Sequence, residues 1–389
     1  MSNYIEVIAA QTTGLVQFNG GGTQYLVQKS DGTLVLFYVD TGSDVAVRYS
    51  TNRGLTWSTP TIVFAGTVTA LSVWYDRWSG ISADLVHVAY TESATDDTLY
   101  KYVDIADPSL FVLSTQTTIF AGTSTATGGN LSITRARGGN LYCHTMIDAG
   151  AEGGFYRSTD VGATWGARTV NEVIATTDQI ILLPGWAADN QDIMAFFWDA
   201  SANEISRQLH DDSANTWSET SIAASMVDQA ATTAFPHFAA AVDITNSRNL
   251  LVAWSAVDTL NADLRCWYVT ESAITEVTNV VLNSTDDQGL CAIGIDVNTN
   301  YWYVFYGGKS DGSETFLTSI NIYYKFSTDS GSTWSNELQL TGAAKDITWL
   351  ICVPRFYSYF TLAYHNDIVL DEIMIIATAN RPAGKIIVS

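Results

Sequence analysis

The 389-residue sequence predicts an all-β protein, a seven-bladed β-propeller of four-stranded antiparallel blades, on three observations. Aromatic residues make up 12% of the chain and charged residues only 15%. With abundant Thr, Val, Tyr and Trp, that balance favours strands over helices. An octapeptide of pattern S-x-D-x-G-x-T-W recurs as STNRGLTW from Ser50, STDVGATW from Ser158 and STDSGSTW from Ser327, with Asn52 in the acidic place of the first. HDDSANTW from His210 is a worn fourth copy that keeps Asp212, Thr216 and Trp217. The third observation is spacing: Asn52, Asp160, Asp212 and Asp329 lie 108, 52 and 117 residues apart, so two gaps are near twice the other. A period of about 54 residues, each unit holding several short strands, is the mark of a propeller whose blades stack radially around a channel.

The same period places unmarked copies near 106, 270 and 383, where turn-like IADPS surrounds Asp107, VTESAIT surrounds Glu271 and ATANRPAG surrounds Asn380. Seven units fit the length, with blades at roughly 23–66, 67–122, 128–175, 178–224, 234–282, 287–341 and 346–389. The first unit shows the plan: an inner strand before a turn at Asp31-Gly32, then strands TLVLFYV and VAVRYS, the octapeptide as a hairpin turn, and strand TIVF. The sixth repeats it with CAIGIDV, YWYVFYGG, INIYYKFS and ELQLTG. Further inner strands are LSVWY, LSITRA, IILLP, FAAAV and TWLICV. The N-terminal strand YIEVIAA, within residues 1–12, and the C-terminal KIIVS both read as strands. One of them is expected to complete the last blade and so remove an exposed sheet edge. A hydrophobic share of 47% and mean hydropathy of +0.09 support a sizeable core. No linker or composition shift divides the chain, so residues 1–389 are expected to form one domain.

The octapeptide suits a tight turn. Gly54, Gly162 and Gly331 can take positive φ without steric cost. The Asp or Asn side chain can accept from backbone N–H groups inside the turn, while Ser50, Ser158 and Ser327 with Thr56, Thr164 and Thr333 satisfy others. Trp57, Trp165, Trp217 and Trp334 supply apolar area that fastens the turn to its blade. A carboxylate engaged in this way has no lone pairs left for chemistry, so these residues are expected to be structural.

Eighteen basic against forty acidic residues give a formal charge of −22, which repels phosphate backbones and anionic membranes. Nucleic-acid binding and membrane insertion are therefore not expected. The chain opens without a basic segment followed by an apolar one, and no apolar run approaches a membrane span. Cys143, Cys266, Cys291 and Cys352 sit apart in apolar strand-like stretches without C-x-x-C spacing and read as buried free thiols. His87, His144, His210, His237 and His365 are scattered without ligand spacing. No metal and no cofactor is expected, and no hydrolase elbow, zinc helix, phosphate loop or dinucleotide fingerprint is present.

The repeated S-x-D-x-G-x-T-W box at blade spacing resembles the Asp-box, or BNR, repeat of the sialidase superfamily. That resemblance implies a propeller with the boxes on its outer rim, and leaves a six-bladed sialidase-like propeller as the alternative fold. It also implies a test for catalysis, because sialidases use an arginine triad, an Asp acid/base, and a Tyr nucleophile assisted by a Glu. The R-I-P element that carries their first arginine is missing: GGTQYLVQKS precedes Asp31-Gly32, and Gly22 falls near the arginine's place. Asp44 could match the acid/base, Arg355 and Tyr357 echo the last arginine and the nucleophile, and Glu372 could assist a tyrosine. Without the first arginine a substrate carboxylate loses its bidentate clamp, so the chain is similar to a non-catalytic member, with a sialidase-like glycosidase as the alternative.

Ligand recognition is expected from aromatics and arginines that interrupt apolar strands. WYDRW, Trp74 to Trp78, is the richest cluster: alternation sends Trp74, Asp76 and Trp78 to one side and Tyr75 and Arg77 to the other. An indole beside a carboxylate suits sugar recognition, and inter-blade packing is the other reading of the same residues. Arg135, Arg137, Arg355 and Tyr357 complete the candidate set, with blade-to-blade pairing as the other reading of the arginines. A Thr/Ser/Ala-rich, lysine-poor Asp-box chain looks like proteins of bacteriophage particles. The expected role is a virion-associated structural or surface-binding protein, with other virion proteins or a cell-surface glycan as partners.

Overall fold

The computed structural model describes residues 4–8, 24–75, 84–122, 130–147, 152–170, 178–224, 226, 238–254, 264–282, 289–311, 313–314, 321–342, 347–357, 359–366 and 372–379. They form an all-β propeller with four-stranded antiparallel blades. The strands pair in seven sheets. The first runs Leu26–Gln28, Leu34–Val39, Val45–Ser50 and Thr61–Phe64. The second to sixth repeat that up-and-down order, beginning at Val68–Tyr75, Ser132–Arg135, Gln179–Pro184, Phe238–Asp243 and Gly289–Asp296. In the seventh, Ile347–Cys352, Tyr359–Asn366 and Glu372–Ala379 are followed by the N-terminal strand Tyr4–Ile8, which pairs antiparallel with Glu372–Ala379. Among the described residues no helix is long and apolar enough to cross a membrane.

The second strand of each sheet explains the apolar runs of the sequence. LVLFYV (34–39) and WYVFYG (302–307) are buried along their whole length, because each lies between neighbouring sheets that cover both of its faces. Several outermost strands are short, as in the half-exposed TIVF (61–64) and the exposed dipeptide Gly166–Ala167, whereas Thr216–Ala224 runs nine residues. First strands of successive sheets are stitched through backbone and serine groups. Gln24 N donates to Val73 O at 2.8 Å, Ile133 N to Ser72 Oγ at 3.0 Å, and Leu182 N to Ser132 Oγ at 2.9 Å. Between the seventh and first sheets Tyr359 donates its hydroxyl to Gly32 O at 2.6 Å. The chain thus closes on itself, and in the first six sheets the connections after the first and third strands lie at one end of the blades.

Candidate functional site

The three intact boxes link the third and fourth strands of their sheets, and their bonding is nearly identical. The serine Oγ accepts from the glycine N–H at 2.8 Å in Gly54, 2.8 Å in Gly162 and 2.7 Å in Gly331. The same hydroxyl donates to the Asn52, Asp160 or Asp329 Oδ1 at 2.9, 2.8 and 2.9 Å. That Oδ1 accepts from the threonine N–H, at 2.9 Å in each copy. Thr164 and Thr333 add hydroxyl bonds to the second carboxylate oxygen, at 2.6 and 2.7 Å. In the first copy the polarity reverses, and Asn52 Nδ2 donates to Thr56 Oγ1 at 2.8 Å. The Thr164 bonds in particular hold the Asp160 carboxyl down at about 2, and the equivalent Thr333 bonds lower Asp329.

Each tryptophan was expected to fasten the turn to its own blade, yet only Trp57 bonds within its own turn, Nε1 to Gly54 O at 3.1 Å. Trp334 Nε1 donates to Thr278 O of the preceding sheet at 2.7 Å, and Trp165 packs edge-on against Tyr100 of the preceding sheet with ring centroids 5.3 Å apart. The glycines press the same way: a Cβ on Gly162 would lie 1.9 Å from the Tyr100 ring, and one on Gly331 2.7 Å from Val277 Cγ2. The second and third boxes therefore staple adjacent sheets together.

The fourth copy is not a box. Its turn is a tighter hairpin in which Asp211 pairs with Thr216 and accepts from Ala214 N at 2.8 Å. Asp212 takes a different task, accepting from Arg157 Nη1 at 2.7 and 2.9 Å and from Arg168 Nη2 at 3.1 Å, both on the third sheet. Without the box serine and glycine the wide turn has no internal scaffold, so the strands pair to the end. Trp217 still reaches back, donating to Thr169 O at 2.8 Å. Asp107 and Glu271, in two of the unmarked units, do lie between third and fourth strands. Asn380 falls outside the described residues.

Of the ligand candidates, Trp74 and Arg355 come together at the turn-bearing end of the channel, beside Gln24, Tyr75, Leu183 and Pro354. The cavity they enclose measures about 20 Å³. That is room for water and far less than a sugar ring needs. Tyr75, which alternation sends away from Trp74, lines the same cavity because Gln24 Oε1 accepts its N–H at 3.0 Å and Asp84 accepts its hydroxyl at 2.7 Å. Tyr357 stands apart, its N–H donated to Gln28 Oε1 at 2.9 Å. Arg135 is 1% exposed and donates Nε to Gly139 O at 3.1 Å, bracing its own hairpin. Arg137 crosses to the fourth sheet, giving Nε to Gly185 O at 2.7 Å and Nη2 to Ala187 O, with its guanidinium 5.2 Å over the Trp186 ring. Asp76, Arg77, Trp78, Gly22 and His237 fall outside the described residues. Asp44, the acid/base candidate, accepts from Gly66 N at 2.8 Å and so ties two loops together. His365 lies on the second strand of the seventh sheet, and Glu372 opens the third.

Burial governs the remaining titratable groups. His87 is pushed down to about 3, and His144 and His210 to about 4, chiefly by desolvation. All four cysteines are buried and free, and burial raises every thiol, Cys266 to about 12. Among the described residues no group of three or more His, Cys, Asp or Glu is placed to hold a metal ion.

A second depression carries no mark in the sequence. Between the fourth and fifth sheets an open cleft of about 410 Å³ is lined by Arg207, Thr220, Ser221, Trp267, Ile274 and Glu276, among others. These residues come from separate strands about 60 positions apart and carry no motif, which leaves nothing in the sequence to group them.

No known family model and no curated protein matches the sequence. Solved structures do. The chain is similar to an ulvan lyase from a new polysaccharide lyase family, bound to -[GlcA(1-4)Rha3S]-, at 10% identity and TM-score 0.60, covering 97% of this chain and 96% of that one. A Hadza microbial sialidase is similar at 15% identity and TM-score 0.48, over 96% of this chain and 66% of that one. An Aleuria aurantia lectin in complex with α-methyl-L-fucoside matches at 12% identity and TM-score 0.45, over 80% and 91%. At these identities the ulvan lyase likeness shows the fold.

Proposed function

We propose that this chain is a non-catalytic Asp-box propeller that binds a glycan as a structural or receptor-recognising part of a bacteriophage particle. In this reading each of the seven sheets is one blade. The observation that carries the non-catalytic part is the commitment of the candidate carboxylates. Asp44 holds Gly66 N, Asp160 and Asp329 close their boxes, and Asp212 is spanned by two arginines. A general acid or base must be within reach of a substrate proton, and these groups are spent on backbone and ion pairs. Glycan binding is supported by the fold shared with a polysaccharide-bound ulvan lyase, and by an open cleft with polar and aromatic lining on a chain whose charge of −22 discourages nucleic acid. The virion setting rests on composition alone.

The test is a glycan array beside a fluorogenic sialoside assay. Saturable glycan binding without turnover is the expected result. Turnover that Arg355→Ala abolishes would establish the sialidase-like alternative instead. Antibody detection of the protein on purified particles tests the virion setting, and its absence from particles would refute that part.

A further inference from the structure

The cleft between the fourth and fifth sheets has an unusual back wall. Arg207, on strand Glu204–Asp211, is 8% exposed and reaches across to the fifth sheet. Its Nη1 donates to Thr270 O at 2.9 Å and Glu271 O at 3.1 Å, and Nη2 to Thr220 Oγ1 at 3.0 Å. All three acceptors are neutral. The buried Nε has no hydrogen-bond partner. The Glu271 carboxylate acts on this charge without a direct hydrogen bond to it, its Oε1 being taken by Trp186 N, so the guanidinium that lines the cavity can still pair with an arriving anion.

The opposite wall does not repel such an anion. Glu276 is clamped by Arg265 through Nε–Oε1 and Nη2–Oε2 bonds, both 2.8 Å, and the Arg265 guanidinium lies 4.8 Å over the Trp267 ring. Ser221 and Ser272 present exposed hydroxyls at the mouth, and Ile222 and Ile274 offer half-buried apolar surface beside them. A volume of about 410 Å³ falls within the roughly 300–1,000 Å³ of small-ligand sites, in contrast to the water-sized cavity at the channel end.

Resting on the glycan-binding reading, we propose that this cleft binds a carboxylate-bearing sugar, with Arg207 recognising the carboxylate, the serines the ring hydroxyls, and Ile222 and Ile274 the apolar face of the ring. The test titrates methyl β-D-glucuronide and methyl β-D-glucoside against the full chain by saturation-transfer difference NMR. The glucuronide is expected to bind about tenfold tighter, as a charge-assisted bond requires, and to weaken as salt is added. Arg207→Gln should erase the preference. Because Arg207 also bridges two sheets, Ser221→Tyr provides the second variant. It fills the mouth from an exposed strand position and should cut binding about tenfold while leaving the melting temperature unchanged. Equal affinity for both sugars, or full glucuronide binding by Ser221→Tyr, overturns the proposal. Array binding that persists in Ser221→Tyr removes this cleft and leaves the glycan reading standing. No binding to either methyl glycoside or to any array glycan removes both.

Discussion

Gly162→Ala tests the stapling role of the boxes. The residue sits at φ +85°, a conformation that costs an alanine about 1–2 kcal/mol. The larger effect is steric, because the new Cβ would stand 1.9 Å from Tyr100 Cε1 and the ring must leave. Tyr100 is 1% exposed, packs edge-on against Trp165, and shares a 2.7 Å hydrogen bond with His87 Nδ1. Losing the ring contact costs about 1 kcal/mol, and losing the hydrogen bond about 1 kcal/mol more. The expected total is about 3–4 kcal/mol. Equilibrium urea unfolding followed by tryptophan fluorescence reads it. In a Tyr100→Ala background the collision is absent, and Gly162→Ala should cost only the backbone's roughly 1–2 kcal/mol. An equal cost in both backgrounds would refute the idea that the box presses on the preceding sheet.

Asp212→Asn leaves Arg157 and Arg168 facing a neutral amide across the junction of the third and fourth sheets. A loss of about 2–3 kcal/mol is expected, below the full value of a buried pair because the side chains are partly exposed; an unchanged urea midpoint would contradict the hub. His87, His144 and His210 are neutral in the fold, with pKa values of about 3, 4 and 4 against roughly 6.5 unfolded. Because the unfolded chain takes up these protons first, their contribution is complete above about pH 6.5 and is lost as pH falls toward those folded values. A pH series of urea midpoints should decline from pH 6.5 to pH 4, and a flat profile there would oppose the assignment. The four buried thiols should ignore Ellman's reagent in the native protein and all react after denaturation; rapid native labelling would show that a cysteine is accessible.

Strand positions were largely written in the sequence, because turn chemistry and apolar runs are local. VAVRYS and TIVF are strands over the residues expected, and LSVWY, LSITRA and IILLP lie in or overlap first strands of their sheets. The interior bonding of the octapeptide was legible for the same reason, since every partner lies within four residues. What the boxes press against was not. Tyr100, Thr278 and Val277 precede their boxes by about 54 to 62 positions, and no pattern within the octapeptide names them. HDDSANTW misled because Asp, Thr and Trp keep their spacing while the loss of serine and glycine changes the turn. Aromatics and arginines that interrupt apolar runs include residues that brace the scaffold, as Arg135 and Arg137 do. Arg207 and its neighbours had no such mark because the cleft exists only where two sheets meet.

In the proposed reading the chain holds a glycan without cutting it. The most direct measurement is to saturate the protein with the best ligand from a glycan array and recover that ligand for mass spectrometry after prolonged incubation. Saturable binding and an intact glycan at every time point are expected. Products that accumulate with protein concentration and disappear in Arg355→Ala would contradict it.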